Sequence, residues 1–256
     1  MKEMNDRAVS EAIGFILILG VMVSSIALVT LYGYPLLLKE QSNTDVRNME
    51  RGMIILQNDV KSLCYKTVPY EETTLQVSGG TLSVVDAGAS PSSFSISTLD
   101  GYSTGDMPLG KLTYYSDRGS EVIVLENGAV LTRQDGQAGS TILAEPRWFY
   151  DDQTKTLVVF VIELDAGEAI STSGMSTVRM GLASSPATDV NTSVGASTTV
   201  SVVYTPDPDD DYSTGWKNYL TGTLGMAETA PGSNIYTLPD VRTLIVKSYA
   251  VTVYGI

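Results

Sequence analysis

Arg7-Ala8-Val9-Ser10-Glu11 runs straight into Ala12-Ile13-Gly14-Phe15-Ile16-Leu17-Ile18-Leu19, and from Ala12 to Leu38 no residue carries a charge. That run is 27 residues long, whereas a bilayer span needs about 20. Nothing later in the 256-residue chain matches it. It exceeds the apolar core of a cleaved secretory signal, about 7–15 residues, and no small-x-small cleavage site follows it. Instead it ends in Tyr32-Gly33-Tyr34-Pro35 and three leucines. The reading is a retained span with a polar body behind it.

Lys2 and Arg7 precede the run while Lys39, Arg47 and Arg51 follow it, so basic charge alone does not orient it. Gly14 and Gly20 are not spaced as G-x-x-x-G, so no tight helix pair is signalled. Tyr32 and Tyr34 suit an interfacial aromatic belt. Pro35 lacks a backbone donor, and with Gly33 it predicts a kink or local break.

Beyond the span, Val46, Met49, Met53, Leu56, Val60 and Leu63 recur at intervals of three and four, an apolar stripe on one helical face. Polar residues, Gln57 among them, fill the other faces. The stripe is under three heptads, which favours a helix laid on a domain core over a free coiled coil. A continuous or kinked helix from residue 10 to residue 66 would reach on the order of 80 Å.

From Thr67 the composition shifts to Ser, Thr, Gly, Val and Tyr. Leu75-Gln76-Val77 and Thr81 to Val85 flank Ser78-Gly79-Gly80, which reads as a hairpin. Lys111–Tyr115, Glu121–Leu125 and Ala129–Arg133 read as a meander, with turns at Asp117-Arg118-Gly119 and Asn127-Gly128. The near-continuous apolar run from Thr156 to Leu164 reads as a central strand buried on both faces. Thr177–Ala183, Thr198–Thr205 and Thr243–Tyr254 are further strands and Trp216–Leu220 a short helix; because 187–197 is a loose Ser/Thr-rich stretch, the head could divide near residue 170. The expected fold class is α+β: a long N-terminal helix, then a mainly antiparallel β-sandwich-like head. The expected parts are a leader (1–8), a membrane or assembly helix (9–38), an amphipathic helix packed on the head (39–66) and the head itself (67–256).

Residues 1–66 carry seven acidic and seven basic side chains, so the whole net charge of −13 belongs to the head. An acidic surface argues against nucleic acid as a partner. With no histidine, the commonest general base and metal ligand is missing. Cys64, the only cysteine, forms no internal disulfide or thiolate zinc site and reads as a structural thiol. No S-x-x-K pairing occurs, and although Gly101-Tyr102-Ser103-Thr104-Gly105 has the G-x-S-x-G spacing, the chain has no histidine to activate its serine. The expectation is a non-enzyme without a cofactor. Asp207, Asp209 and Asp211 offer oxygen ligands for Ca²⁺ in an exposed loop, although Tyr212 stands where a calcium loop needs its turn glycine. Asn191-Thr192-Ser193 is an acceptor sequon for an N-glycan if the head lies outside the cytoplasm.

The N-terminal residues Arg7 to Gly14, running into Phe15 to Leu19, resemble the class III signal of archaeal type IV pilin-like proteins. Gly128-Ala129-Val130-Leu131-Thr132-Arg133 and Glu145-Pro146 are similar to stretches of uncharacterised archaeal proteins with this N-terminus. The resemblance implies cutting between Ala8 and Val9 by a prepilin peptidase, with Arg7, Ala8 and Val9 as the processing site. It implies a cytoplasmic N-terminus, a single pass through the cell membrane and a head outside the cell or on an extracellular filament. Assembly would run through Val9, Glu11, Ile13, Phe15, Leu17 and Leu19. Partners would be membrane lipid and other pilin-like subunits or membrane-embedded assembly proteins. In such proteins a glutamate near the mature N-terminus pairs with a neighbour's α-amino group; Glu11 would be third, not fifth. Gly33 and Pro35 mark where the helix would melt to extend a subunit. A head this large suggests a minor or specialised subunit for adhesion or surface structure. The alternative is a single-span anchored binding protein that never polymerises.

Overall fold

The computed structural model describes residues 2–66, 68–137, 139–166, 170–184, 186–192 and 197–256. The fold is α+β, with two compact units, one ending at Thr44 and the other Asp45–Ile256. The first helix, α1, is Lys2–Leu28. A π-helical turn, Val29–Gly33, separates it from α2, Tyr34–Lys66. Pro35 has no N–H for the carbonyl four residues back, and its ring crowds that carbonyl. The ladder widens there, and the Tyr34 N–H donates to Val29 O, five residues back.

In the second unit, all six stripe residues from Val46 to Leu63 are buried, Met53, Leu56 and Leu63 completely. Each such side chain contributes about 1.5–3 kcal/mol. The strands are β1 Tyr70–Val85, β2 Ser93–Thr98, β3 Ser103–Pro108, β4 Lys111–Ser116 and β5 Glu121–Glu126. Next come β6 Ala129–Gln134, β7 Ser140–Ala144, β8 Phe149–Asp151, β9 Thr156–Asp165 and β10 Ile170–Leu182. The last are β11 Ala187–Thr192, β12 Thr198–Thr205, β13 Ala227–Glu228, β14 Ile235–Val241 and β15 Thr243–Gly255, with helix α3, Ser213–Gly222, after β12. One sheet has ten strands in the order β7-β6-β5-β4-β1-β10-β15-β9-β8, with β11 also on β15. The other has five, β13-β14-β12-β2-β3. Among the described residues the strand pairings are antiparallel except β9 with β15.

The meander appears as expected, and Asn127 (φ 48°) and Gly128 (φ 69°) supply the two left-handed residues of its tight turn. Strand β9 is buried along most of its length, but it lies next to the edge strand β8 instead of at the centre of the sheet. Residues on both sides of position 170 share one sheet, β1 pairing with β10, so the second unit is not divided there.

Two local readings are corrected. Ser78-Gly79-Gly80 is not a hairpin turn: β1 runs unbroken through it, and its register on β10 shifts between Val77 and Leu82. The glycines serve close approach. Gly79 has φ +62°, and a Cβ there would lie 2.7 Å from Asp45 Oδ2. A Cβ on Gly80 would collide with the Tyr115 carbonyl oxygen and sit 2.5 Å from the Tyr114 ring. Gly80→Ala must therefore push β1 off β4, and overpacking of this kind costs about 1–3 kcal/mol. A denaturant titration checks it, with an unchanged midpoint as the contrary result. The second correction concerns 187–192, read as loose, which forms β11 in register with Thr243–Ser248.

Candidate functional site

Along the apolar run, Ile13, Phe15, Leu17 and Leu19 are exposed, as are the large apolar side chains on to Leu37. A spacing of two spreads these four around a helix of 3.6 residues per turn, so no single face is apolar. An 18-residue window reaches a mean hydropathy of 2.7 with none of it buried by the protein. The core helix of a soluble domain would be covered. This helix is long and apolar enough to cross a membrane. Two of its hydroxyls turn inward: Ser25 Oγ donates to Val21 O at 2.7 Å and Thr30 Oγ1 to Ile26 O at 2.9 Å. That satisfies them without water. Glu11 is exposed on α1, while the side chains of Arg7, Ala8 and Val9 fall outside the described residues.

The aspartate loop proves to be half of a buried ion cluster. Lys111 Nζ lies 2.8 Å from both Asp207 Oδ2 and Asp210 Oδ2, and Arg133 Nε donates to Asp210 Oδ1 at 2.6 Å. Asp211 turns to α3, accepting from the Ser213 N–H at 2.7 Å. Among the described residues no three acidic or cysteine side chains are placed to hold a metal ion. Asp207, Asp209 and Asp211 thus do not converge as a calcium cage, because a lysine ammonium occupies the position a cation would take. Burial opposes the charge on Lys111, but its hydrogen bonds to the two aspartates outweigh that and raise its pKa. Burial likewise opposes the charge on Asp207, and Lys111 together with the Asp209 N–H lowers its pKa on balance.

Directly across the β4–β5 ladder from Lys111 stands Glu126. Its Oε1 accepts from Trp216 Nε1 at 2.9 Å and the Tyr204 hydroxyl at 3.1 Å, and Oε2 from Ser92 Oγ at 3.2 Å. Phe94 packs edge-on to Trp216, at 4.9 Å, and beside Tyr204, at 5.1 Å, sealing the carboxylate in aromatic surroundings. Burial raises the Glu126 pKa, while its donors and the Lys111 charge restrain the rise. A carboxylate whose folded pKa is raised favours folding when protonated, and that advantage fades as pH rises past the usual glutamate value, about 4.3. Glu126→Gln is therefore expected to gain stability over the parent at pH 7, with the gain shrinking toward pH 4. Thermal melts across that range test it; a gain independent of pH would contradict it.

Gln57, whose polarity places it on an outer face of the helix, is buried. Its Nε2 lies 2.7 Å from Gly128 O, 3.2 Å from Ala144 O and 3.0 Å from Glu145 O. The helix is thereby anchored on the two stretches that carry the looser part of the resemblance. Cys64 is buried, and burial pushes its thiol up to about 12. Asn191 lies on β11 opposite Leu244, its amide nitrogen 3.5 Å from Thr98 Oγ1.

The ion cluster joins residues 77 to 99 positions apart. No local pattern announces such partners. The only hint is a charged residue at each end of the apolar-rich pair Lys111–Tyr115 and Glu121–Glu126.

The fold and these sites belong to a membrane-compatible helix carrying a β-rich head. Residues 7–254 match the family of unknown function DUF7289, so helix and head lie within one match, and the chain belongs to that family. No curated protein and no solved structure matches it.

Proposed function

We propose that this chain is a type IV pilin-like subunit, minor or specialised, held in the cell membrane by α1 and assembled through it. The observation that carries the reading is the fully exposed apolar helix directly behind Arg7-Ala8-Val9-Ser10-Glu11. Apolar surface on this scale needs a bilayer or other helices to cover it. A prepilin peptidase would cut between Ala8 and Val9 on the cytoplasmic side. Ile13 to Leu31 would pack against lipid before assembly and against sister helices afterwards. The head would face outward for adhesion or surface structure, its acidity keeping it soluble. Its work is mechanical. Consistent with that, the buried carboxylates Glu126 and Asp210 are held by Trp, Tyr, Ser, Lys and Arg donors and present no free basic face to a substrate. Gentle shearing of whole cells, followed by immunodetection, tests assembly. A polymer releases the chain in a high-molecular-weight surface fraction; retention of all of it in the membrane would favour a single-span anchor that does not polymerise.

A further inference from the structure

On the second unit an open groove of about 600 Å³ is lined by Asn58, Lys61, Ser62, Tyr65, Lys66 and Arg147. The α2 residues among these are three and four apart, hence on one helical face. Arg147 comes from the loop before β8. Its guanidinium lies 4.7 Å from the Tyr65 ring centre and 5.7 Å from that of Phe160, and Lys247 Nζ approaches Phe160 at 6.0 Å. Tyr65 in turn stands edge-on to Phe160 at 5.1 Å, which fixes the platform under the guanidinium. Lys61 Nζ donates to a backbone oxygen, that of Glu145, at 3.4 Å.

No Asp or Glu is among the residues that line this groove, although the head as a whole is acidic. The chain has 29 carboxylate and 16 basic side chains. The cations of the internal cluster, and Lys155, Arg179 and Lys217, each have a carboxylate within 4 Å. Among the described residues Lys61, Lys66, Arg147 and Lys247 have none. Partial burial and the nearby Arg147 charge both lower the Lys61 pKa, as expected where cations crowd without an anion. Aromatic faces hold Arg147 and Lys247, and a backbone carbonyl receives Lys61. The groove offers ammonium, guanidinium, amide and hydroxyl donors, and its volume is that of a small-ligand site.

We propose that this groove is an oxyanion-binding site, taking a phosphoryl or carboxylate group of a small molecule or of a polymer end through Arg147, Lys61 and Lys66. Arg147 supplies the planar fork that matches two oxygens of such a group, and the lysines supply point charge. The net charge of −13 repels anions at long range, so saturable binding requires a local site. The inference goes beyond the assembly reading and does not depend on polymerisation.

The test is calorimetric titration of the full chain in neutral detergent at low salt, with inorganic pyrophosphate in one arm and trigalacturonate in the other. Saturable one-to-one binding is expected in at least one arm, and the arm that binds names the source, phosphoryl or carboxylate. Arg147→Gln is expected to weaken it at least tenfold. Lys66→Gln, an exposed change at the helix end that leaves the fold intact, is expected to weaken it several-fold. Arg179→Gln removes the same unit charge elsewhere and is expected to leave affinity within twofold. Absence of saturable binding in both arms would overturn the proposal. So would equal losses in Arg147→Gln and Arg179→Gln, which would mean net charge alone is being read.

Discussion

Lys111→Met is expected to destabilise the head by about 3–5 kcal/mol, the cost of leaving one side of a buried ion cluster unpaired. Asp207, partly buried, would then lose its cation, and buried Asp210 would keep only Arg133, which also reaches Asp135. Against a total stability of about 5–15 kcal/mol for a typical domain, that loss would leave little margin. Chemical denaturation of the full chain in detergent would measure it. Adding Asp207→Asn is expected to return part of the loss, since it removes an uncompensated charge, whereas a surface pair would show neither effect. A loss below about 1 kcal/mol would mean the cluster behaves like an exposed salt bridge. The pH dependence has a definite sign. The raised Lys111 pKa keeps its contribution until pH passes the usual lysine value, about 10.4, and the lowered Asp207 pKa keeps its own until pH falls below about 3.9. Between those limits the cluster is at full strength.

The second large effect lies in α1. Val21→Arg combined with Ile26→Arg places two guanidinium groups near the middle of the run from Ala12 to Leu38. A central arginine costs about 2.5–3.5 kcal/mol for insertion, so the pair costs about 5–7 kcal/mol. The parent is expected to stay with membranes through alkaline carbonate extraction, and the double variant to fail to insert. Both residues lie outside the unit Asp45–Ile256, so the head's own melting transition should be unchanged. If the variant stays in the membrane as firmly as the parent, α1 is not the element that holds the protein there.

What could be read from the sequence followed local periodicity. The stripe from Val46 to Leu63 announced a helix with one buried face because burial of one face imposes a 3.6-residue period. Asn127-Gly128 announced its turn because few other residue pairs adopt two positive φ angles in succession. Trp216 to Leu220 fell within α3. Misreadings arose where distant partners decide the outcome. Gly79-Gly80 has turn composition, but the glycines are there because Asp45 and Tyr115 pass too close for a side chain. The polarity of Gln57 suggested solvent, whereas three backbone carbonyls from residues 71 to 88 positions away receive it. The Asp207–Asp211 loop looked like a cation site for a sound reason, since clustered carboxylates do need a cation. The cation is Lys111, supplied by β4 from 96 residues upstream. Strand β11 was missed because its pairing with β15 supplies the order that its Thr and Asp residues do not signal.

The N-terminus of the chain, isolated from its own cell membranes and determined by intact mass and terminal peptide sequencing, tests the central claim most directly. The account requires a chain beginning at Val9, with the apolar helix retained and Glu11 third in line behind a new α-amino group. A chain that still begins at Met1 or Lys2 with its span intact would contradict it, leaving Glu11 without its amine and the helix as an anchor alone.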